Sequence, residues 1–232
     1  MRFTFMTLFP SIVEGYFSET IMARAIASRK IIIDYVDPRD YTTDRHKKVD
    51  APMIGGGAGM LMSPQPLFDA LAHIKASSPD AHIIMATPVG KKFEQNDAQR
   101  LAHKKHIVLI SGRYEGIDER VVESEVNELF SIGDYILTGG ELASMVMCDA
   151  IGRNIEGVLG NSDSLSMESF ENTLLEPPSF TKPLNYKNMD VISEYLKGNH
   201  DKITTLKTQL ALCKTKYFRP DLYQKVKTKG KL

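Results

Sequence analysis

Cysteine is scarce in this chain: Cys148 and Cys213 are the two among 232 residues. They form neither a Cys-x-x-Cys pair nor a disulfide framework, so both read as reduced core thiols of a cytosolic protein. No run of about 18 apolar residues occurs, which excludes an ordinary membrane-spanning helix. The start, Phe3-Thr4-Phe5-Met6 behind Arg2, lacks the apolar stretch and small-residue cleavage site expected of a signal peptide. Net charge is absent as well, because 29 Lys and Arg balance 29 Asp and Glu. Affinity for a polyanion must then come from segregated charge. The six histidines (His46, His73, His82, His103, His106 and His200) show no metal-ligand spacing with Cys or with each other. His103 and His106 read as surface polarity at a helix end. No Gly-x-Ser-x-Gly elbow is present. The glycine run at residues 55–59 has no Gly-Lys-Ser/Thr behind it, and Gly-x-Gly-x-x-Gly fails at Met62. Covalent catalysis lacks a candidate, and chemistry carried by a bound cofactor is favoured.

What is there suits one large domain with a smaller appendage. Apolar content of 42% and charged content of 25% exclude wholesale disorder. Charge is segregated toward the end. Residues 201–232 hold nine Lys or Arg against Asp201 and Asp221, giving 9 − 2 = +7. That segment is either a solvated tail or a polyanion contact.

Hydrophobic patterning predicts strands at residues 2–8, 31–36, 82–86, 107–110 and 135–137, alternating with helices. Ser11, with Glu14 three residues on, predicts a capped first helix. Helices follow over residues 64–74, 95–103 and beyond Gly140, the last with Leu142, Met145, Val146 and Ala150 on one side. Residues 121–130 fit either helix or strand. Alternating strands and helices imply a parallel α/β sheet, whose ligands bind at the carboxyl ends of strands. Three glycine turns fall there: residues 87–90, 112–116 and 138–140. After residue 159 the chain turns polar and proline-rich, then helical from Val191. A domain boundary is expected between residues 160 and 172.

The carboxylates Asp50, Glu115, Asp118, Asp134, Glu141 and Glu168 are the informative titratable set, with Arg113, Arg120 and Arg153 as cationic partners. Each alone also fits a helix cap or a surface charge, and spacing leaves their roles open.

The motifs, taken together, are more specific. They are Pro38-Arg39-Asp40, Asp44-Arg45-His46 with Asp50, Gly55-Gly56-Gly57-x-Gly59-Met60-Leu61-Met62, residues 112–120, residues 131–141 and Gly157-Val158-Leu159-Gly160. Gly198-Asn199-His200 and Arg219-Pro220-Asp221-Leu222 follow. In this order they resemble the bacterial tRNA (guanine-37-N1)-methyltransferase family, the TrmD type of SPOUT methyltransferase. The resemblance implies a SPOUT-type parallel sheet with a deep C-terminal trefoil knot, in a catalytic domain over residues 1–160. It also implies a flexible linker over 161–172 and a small helical tRNA-binding domain over 173–232, shorter than in many relatives. Expected is methyl transfer from S-adenosylmethionine to N1 of the guanine 3′ of the anticodon, in a cytoplasmic homodimer whose subunits complete each other's sites.

Carried over residue by residue, the resemblance places the cofactor at Thr87, Pro88, Gly90, Gly112, Tyr114, Ile132, Gly133, Asp134, Tyr135, Ile136, Leu137, Gly139 and Gly140. Asp50, Gly57, Gly59 and Met60 fall on the substrate side. Glu168, in Glu168-Ser169-Phe170, stands where the family has an aspartate general base, with Asp163 as a nearby alternative. Arg153 matches the arginine facing guanine O6, and Glu115 a residue near the target base. No dedicated metal site is implied, but Mg²⁺ is expected near Glu115 and Glu168. Ala58 and Ala143 stand where the family usually has proline. Two other readings are a tRNA-binding homologue without catalysis, suggested by glutamate in place of aspartate, and a phosphoryl-transfer enzyme using residues 55–59.

Overall fold

The computed structural model describes residues 1–160, 168–170 and 173–228, and the chain divides into two units at Gly160. The first unit is built on a five-stranded sheet. Its strands are β1 (Arg2–Met6), β2 (Ile32–Val36), β5 (His82–Lys92), β6 (His106–Ile110) and β7 (Glu128–Ser131), in the order β2-β1-β6-β5-β7. All pairs are parallel. Two short strands, β3 (Asp50–Pro52) and β4 (Met60–Met62), form a separate antiparallel hairpin. Helices cover both faces of the main sheet, as a parallel sheet requires.

Alternation along the strands builds two cores. Phe3, Phe5, Ile84, Ile107 and Leu109 join one core, with residues of α1 (Pro10–Phe17), α2 (Thr20–Ala27), α4 (Gln95–Leu101) and α6 (Glu141–Gly152). Met6, Ile83, Met85, Val108 and Ile110 join the other, with α3 (Pro64–Ser77) and α5 (Glu119–Glu125). The ambiguous stretch of residues 121–130 resolves into the end of α5 and the start of β7.

Several local expectations are corrected. Ser11 does not cap α1: Pro10 opens the helix, and Thr7 Oγ1 instead accepts from Phe9 N–H at 3.0 Å. Residues 87–90 do not end a strand, because β5 runs on to Lys92 past an irregularity between Ala86 and Lys91 in its pairing with β7. Residues 135–137 are no strand. Tyr135 and Ile136 are more than half exposed, and their apolar character serves a cavity rather than a sheet. On α6 the buried side is Ala143, Met145, Met147, Cys148 and Ile151, while Leu142 and Val146 are about half exposed. His106 is not a surface residue: it is 8% exposed, and its Nε2 lies 2.8 Å from Thr4 Oγ1. Cys148 is a core thiol, but Cys213 is exposed.

The second unit opens with a proline-rich segment and a small hairpin, Asn185–Tyr186 paired with Met189–Asp190. Lys187 and Asn188 take φ of 51° and 60°, the left-handed pair that a tight two-residue turn needs. A 3₁₀ turn at Ser193–Leu196 follows, where a longer helical stretch was expected from Val191. Helices His200–Phe218 and Pro220–Thr228 complete the unit. Asn199 caps the first by accepting from Lys202 N–H at 3.1 Å.

Candidate active site

A cavity of about 270 Å³ opens at the carboxyl ends of β6 and β7, beside the irregular middle of β5. Met85, Ala86, Thr87 and Pro88 line it from β5, and Gly112, Tyr114, Glu115 and Gly116 from the loop after β6. Phe130 to Gly133 and Tyr135, Ile136, Leu137, Gly139 and Gly140 come from β7 and the loop behind it, and Ala143 from α6. A cleft outside the carboxyl edge is where a parallel sheet offers ligands both loop backbone and open space. The walls are rich in glycine backbone and in apolar side chains, a surface suited to a flat, largely uncharged ring system.

Two of the glycines are required by close approach. A Cβ on Gly140 would lie 2.8 Å from Ser111 Cα, and one on Gly139 would lie 2.5 Å from Arg113 Nε. Gly140 N–H donates to the Gly112 carbonyl at 2.9 Å, fastening the loop after β7 to the loop after β6. Arg113 strengthens the same joint. Its Nε donates to Glu141 Oε1 at 3.0 Å, and its Nη2 sits 2.9 Å from Oε2. Thr7 Oγ1 donates to the same Oε1 at 2.8 Å, so the buried carboxylate is well supplied with donors. The Arg113 guanidinium also lies 4.5 Å from the Phe9 ring centroid.

The β3–β4 hairpin borders the cavity loop. Glu115 N–H donates to Met60 O, Met62 N–H to Gly116 O, and Asp118 N–H to Met62 O, each at 3.0 Å. Tyr114 takes φ +59°. Burial, then Asp50, raise its phenol above its ordinary value. The Glu115 side chain crosses Gly59 so closely that a Cβ there would lie 2.6 Å from its Cγ. Between the strands, Gly55, Gly56, Gly57 and Gly59 all have positive φ, and Ile54 stands fully exposed. Asp118 caps α5 by accepting from Arg120 N–H at 3.1 Å.

The residues singled out from sequence fall into three groups. Thr87, Pro88, Gly112, Tyr114, Ile132, Gly133, Tyr135, Ile136, Leu137, Gly139, Gly140 and Glu115 share the cavity wall. Gly90 and Asp134 are not in that wall. Gly90 packs on β7, where a Cβ would lie 2.5 Å from Phe130 N, and Asp134 is exposed. Asp50, Gly57, Gly59 and Met60 lie in the neighbouring hairpin and its loop. Arg153 follows α6 in the first unit, whereas Glu168 belongs to the second unit. Asp163 lies outside the described residues. Among the described residues no three His, Cys, Asp or Glu side chains gather as a metal site. Thr7, Ser144, whose Oγ lies 2.9 Å from that of Ser111, and the particular pairing of Arg113 with Glu141 carry no signal in the sequence. Those partners are 28 residues apart, and no periodicity links them.

A family model described as tRNA (Guanine-1)-methyltransferase TrmD matches residues 1–225. A protein of Sulfurovum sp. named tRNA (guanine-N(1)-)-methyltransferase is 69% identical, over 97% of this chain and 99% of its own. Proteins of the same name from Sulfurimonas denitrificans and Campylobacter curvus are 62% and 60% identical, each over 98% of this chain. The matches span 99% and 96% of those two relatives, so none of the three is markedly longer than this chain.

Proposed function

The chain belongs to the tRNA (guanine-1)-methyltransferase TrmD family, and from that premise we propose that it methylates N1 of the guanine immediately 3′ of the tRNA anticodon, position 37, using S-adenosylmethionine. The observation that carries this reading is the cavity at the carboxyl ends of β6 and β7, beside the irregular middle of β5. Glycine backbone at Gly112, Gly133, Gly139 and Gly140 offers amide and carbonyl groups, while Pro88, Ile132, Ile136 and Leu137 offer apolar surface. That combination fits an adenosyl group. When bound, S-adenosylmethionine supplies an electrophilic methyl on a positively charged sulfur. The trefoil knot belongs to the same reading, with the Gly112–Gly140 hydrogen bond and the Arg113–Glu141 pair fastening its loops.

Guanine N1 carries a proton at neutral pH, so its lone pair must be freed before it can attack a methyl carbon. A carboxylate does this by general-base catalysis. Glu168 is the proposed base and Asp163 its alternative. Arg153 is proposed to face O6, where charge develops as the proton leaves. Glu115, beside the glycine loop, is proposed to meet the target base, and Asp50, Gly57, Gly59 and Met60 the RNA around it. Mg²⁺ is part of this expectation, but with no ligand cluster among the described residues no step is assigned to it.

The basic end of the second unit is read as a grip on anticodon-stem phosphates, so binding weakens as salt rises. A homodimer accounts for the half-exposed Ile12 and Tyr16 on α1 and Leu142 and Val146 on α6, which a second copy would cover. No helix among the described residues is long and apolar enough to cross a membrane; a cytoplasmic site of action is proposed from the tRNA substrate. The test is transfer of labelled methyl from S-adenosylmethionine to unmodified tRNA transcripts. Guanine at position 37 should be labelled and adenine there should not. Cofactor binding without any transfer would instead leave a tRNA-binding homologue.

A further inference from the structure

The second unit carries a groove of its own, lined by Phe180, Thr181, Lys182, Leu184, Val191, Tyr195 and Leu196, with a volume of about 480 Å³. It lies between the proline-rich segment and the 3₁₀ turn at Ser193–Leu196. Its floor is aromatic. Phe180 and Tyr195 meet edge to face, with centroids 5.8 Å apart and planes at 71°. Tyr195 is anchored by its hydroxyl, which donates to Pro178 O at 3.3 Å. Phe180 is thereby braced while 47% of it stays exposed. Beside the groove, Tyr186 and Met189 of the small hairpin are also exposed.

The cations around these rings are unspent. Lys182, Lys187 and Lys207 form no ion pair among the described residues, in contrast to Lys197, which pairs with Glu194 at 2.7 Å. The Lys187 ammonium lies 5.6 Å from the Tyr186 centroid, and that of Lys207 lies 5.9 Å from Tyr195. Residues 161–232 carry 12 Lys and Arg against 8 Asp and Glu, a net 12 − 8 = +4 in a chain of zero net charge. An apolar peptide would use the rings and leave these ammonium groups idle. A bare polyanion would use the ammonium groups and leave the rings idle. An unpaired nucleotide uses both, because its base stacks on aromatic faces and its phosphates meet lysines.

We propose that this groove binds an unpaired nucleotide of an RNA strand, with the base on Phe180 and the flanking phosphates near Lys182 and Lys207. The proposal rests on the reading of tRNA as substrate and assigns to the second unit a base-stacking contact in addition to the phosphate grip. It gives that unit a preference for looped over paired RNA, since a base inside a duplex has no free face to offer.

The chain has no tryptophan, so Phe180→Trp in the full-length protein is a fluorescent reporter confined to this groove. A short single-stranded oligoadenylate should quench it, whereas a blunt RNA duplex of the same length and inorganic polyphosphate should not. Equal quenching by all three would reduce the groove to an electrostatic surface and overturn the proposal. So would no quenching by any RNA, tRNA included. In parallel, Phe180→Ala should raise the KM for tRNA roughly ten-fold, with kcat and S-adenosylmethionine affinity unchanged. Quenching by single strands without methyl transfer would sink the methyltransferase reading and keep the groove; methyl transfer without quenching would do the reverse.

Discussion

Arg113 and Glu141 form a two-pronged ion pair, 3.0 and 2.9 Å, that ties the loop after β6 to the first residue of α6 beneath the cavity. Glu141 is 2% exposed and Arg113 20%, so the pair sits where water screens it poorly. Removing one partner strands the other's charge in a partly dry site. Glu141→Ala should destabilise the first unit by about 3 kcal/mol, the lower end for a broken buried pair because Arg113 keeps some solvent. Denaturant unfolding followed by circular dichroism measures this. Calorimetry should also show weaker S-adenosylmethionine binding, since Arg113 Nη1 donates to Thr138 O at 3.2 Å and helps shape the cavity wall. Wild-type stability with wild-type affinity would mean that the pair is ornamental.

Glycine matters for different reasons at Gly140 and Gly55. Gly140 has an ordinary φ of −80°, but an added methyl would lie 2.8 Å from Ser111 Cα and 2.9 Å from Gly112 N. Backbone cannot swing aside as a side chain can. Gly140→Ala should therefore separate the two loops and cut cofactor affinity at least ten-fold. Gly55 has open space around it and a φ of +95°, so Gly55→Ala strains only its own backbone, by about 1 kcal/mol. Its S-adenosylmethionine affinity should match wild type, and its KM for tRNA should rise. Calorimetry and steady-state kinetics on both variants test the contrast.

How much of this was legible in the sequence depended on whether a residue's neighbours were near in the chain. Residues 107–110 could be read as a buried strand, because both faces of β6 are covered and the run is wholly apolar. Residues 135–137 looked the same over a shorter span, yet they line a cavity. An apolar run cannot say whether its apolar neighbour is protein or ligand. Of the stripe that helical spacing predicted on α6, Met145 is buried and Ala150 packs on the core, whereas Leu142 and Val146 point away from it, so periodicity caught half of the buried side. His106 looked polar and superficial beside Lys104 and Lys105, although strand β6 carries it inside against Thr4, 102 residues away. The glycine turns after β6 and β7 were visible as ligand-facing backbone, but their lock, Arg113 with Glu141 and Thr7, is a tertiary pairing with no local trace.

The buried His106 gives stability a pH dependence of known sign. Burial, assisted by Arg2 and opposed by Asp34, holds its imidazole below the ordinary value of 6.5. Its Nε2 faces Thr4, and its Nδ1 has no hydrogen-bond partner among the described residues. The folded protein thus binds this proton more weakly than the unfolded chain does. The stability due to the neutral ring is complete above pH 6.5 and is lost as pH falls from there through the lower folded value. Wild type and His106→Gln should be unfolded by denaturant from pH 8 to pH 5. The wild-type midpoint should drop more steeply below 6.5, and parallel curves would show that another group controls the acid limb.

Assignment of the base to Glu168 makes a prediction in which binding and chemistry separate. Glu168→Gln keeps size and polarity but cannot accept the N1 proton at neutral pH. Methyl transfer in single-turnover reactions should fall by about 10²–10⁴-fold, the usual contribution of a positioned general base. Affinity for S-adenosylmethionine should be untouched, because the proposed role of Glu168 is toward guanine N1 and not toward the cofactor. In wild type the rate should rise with pH until the carboxylate is fully ionised, and Glu168→Gln should lose that limb. Glu168→Asp, which restores the family's own residue, should retain substantial activity, whereas a purely structural role for Glu168 would leave the pH profile of the Gln variant unchanged in shape. If Glu168→Gln transfers methyl at the wild-type rate and Asp163→Asn does not, the proton goes to Asp163, and the extra methylene of Glu168 is the reason: it carries the carboxylate past N1 instead of up to it.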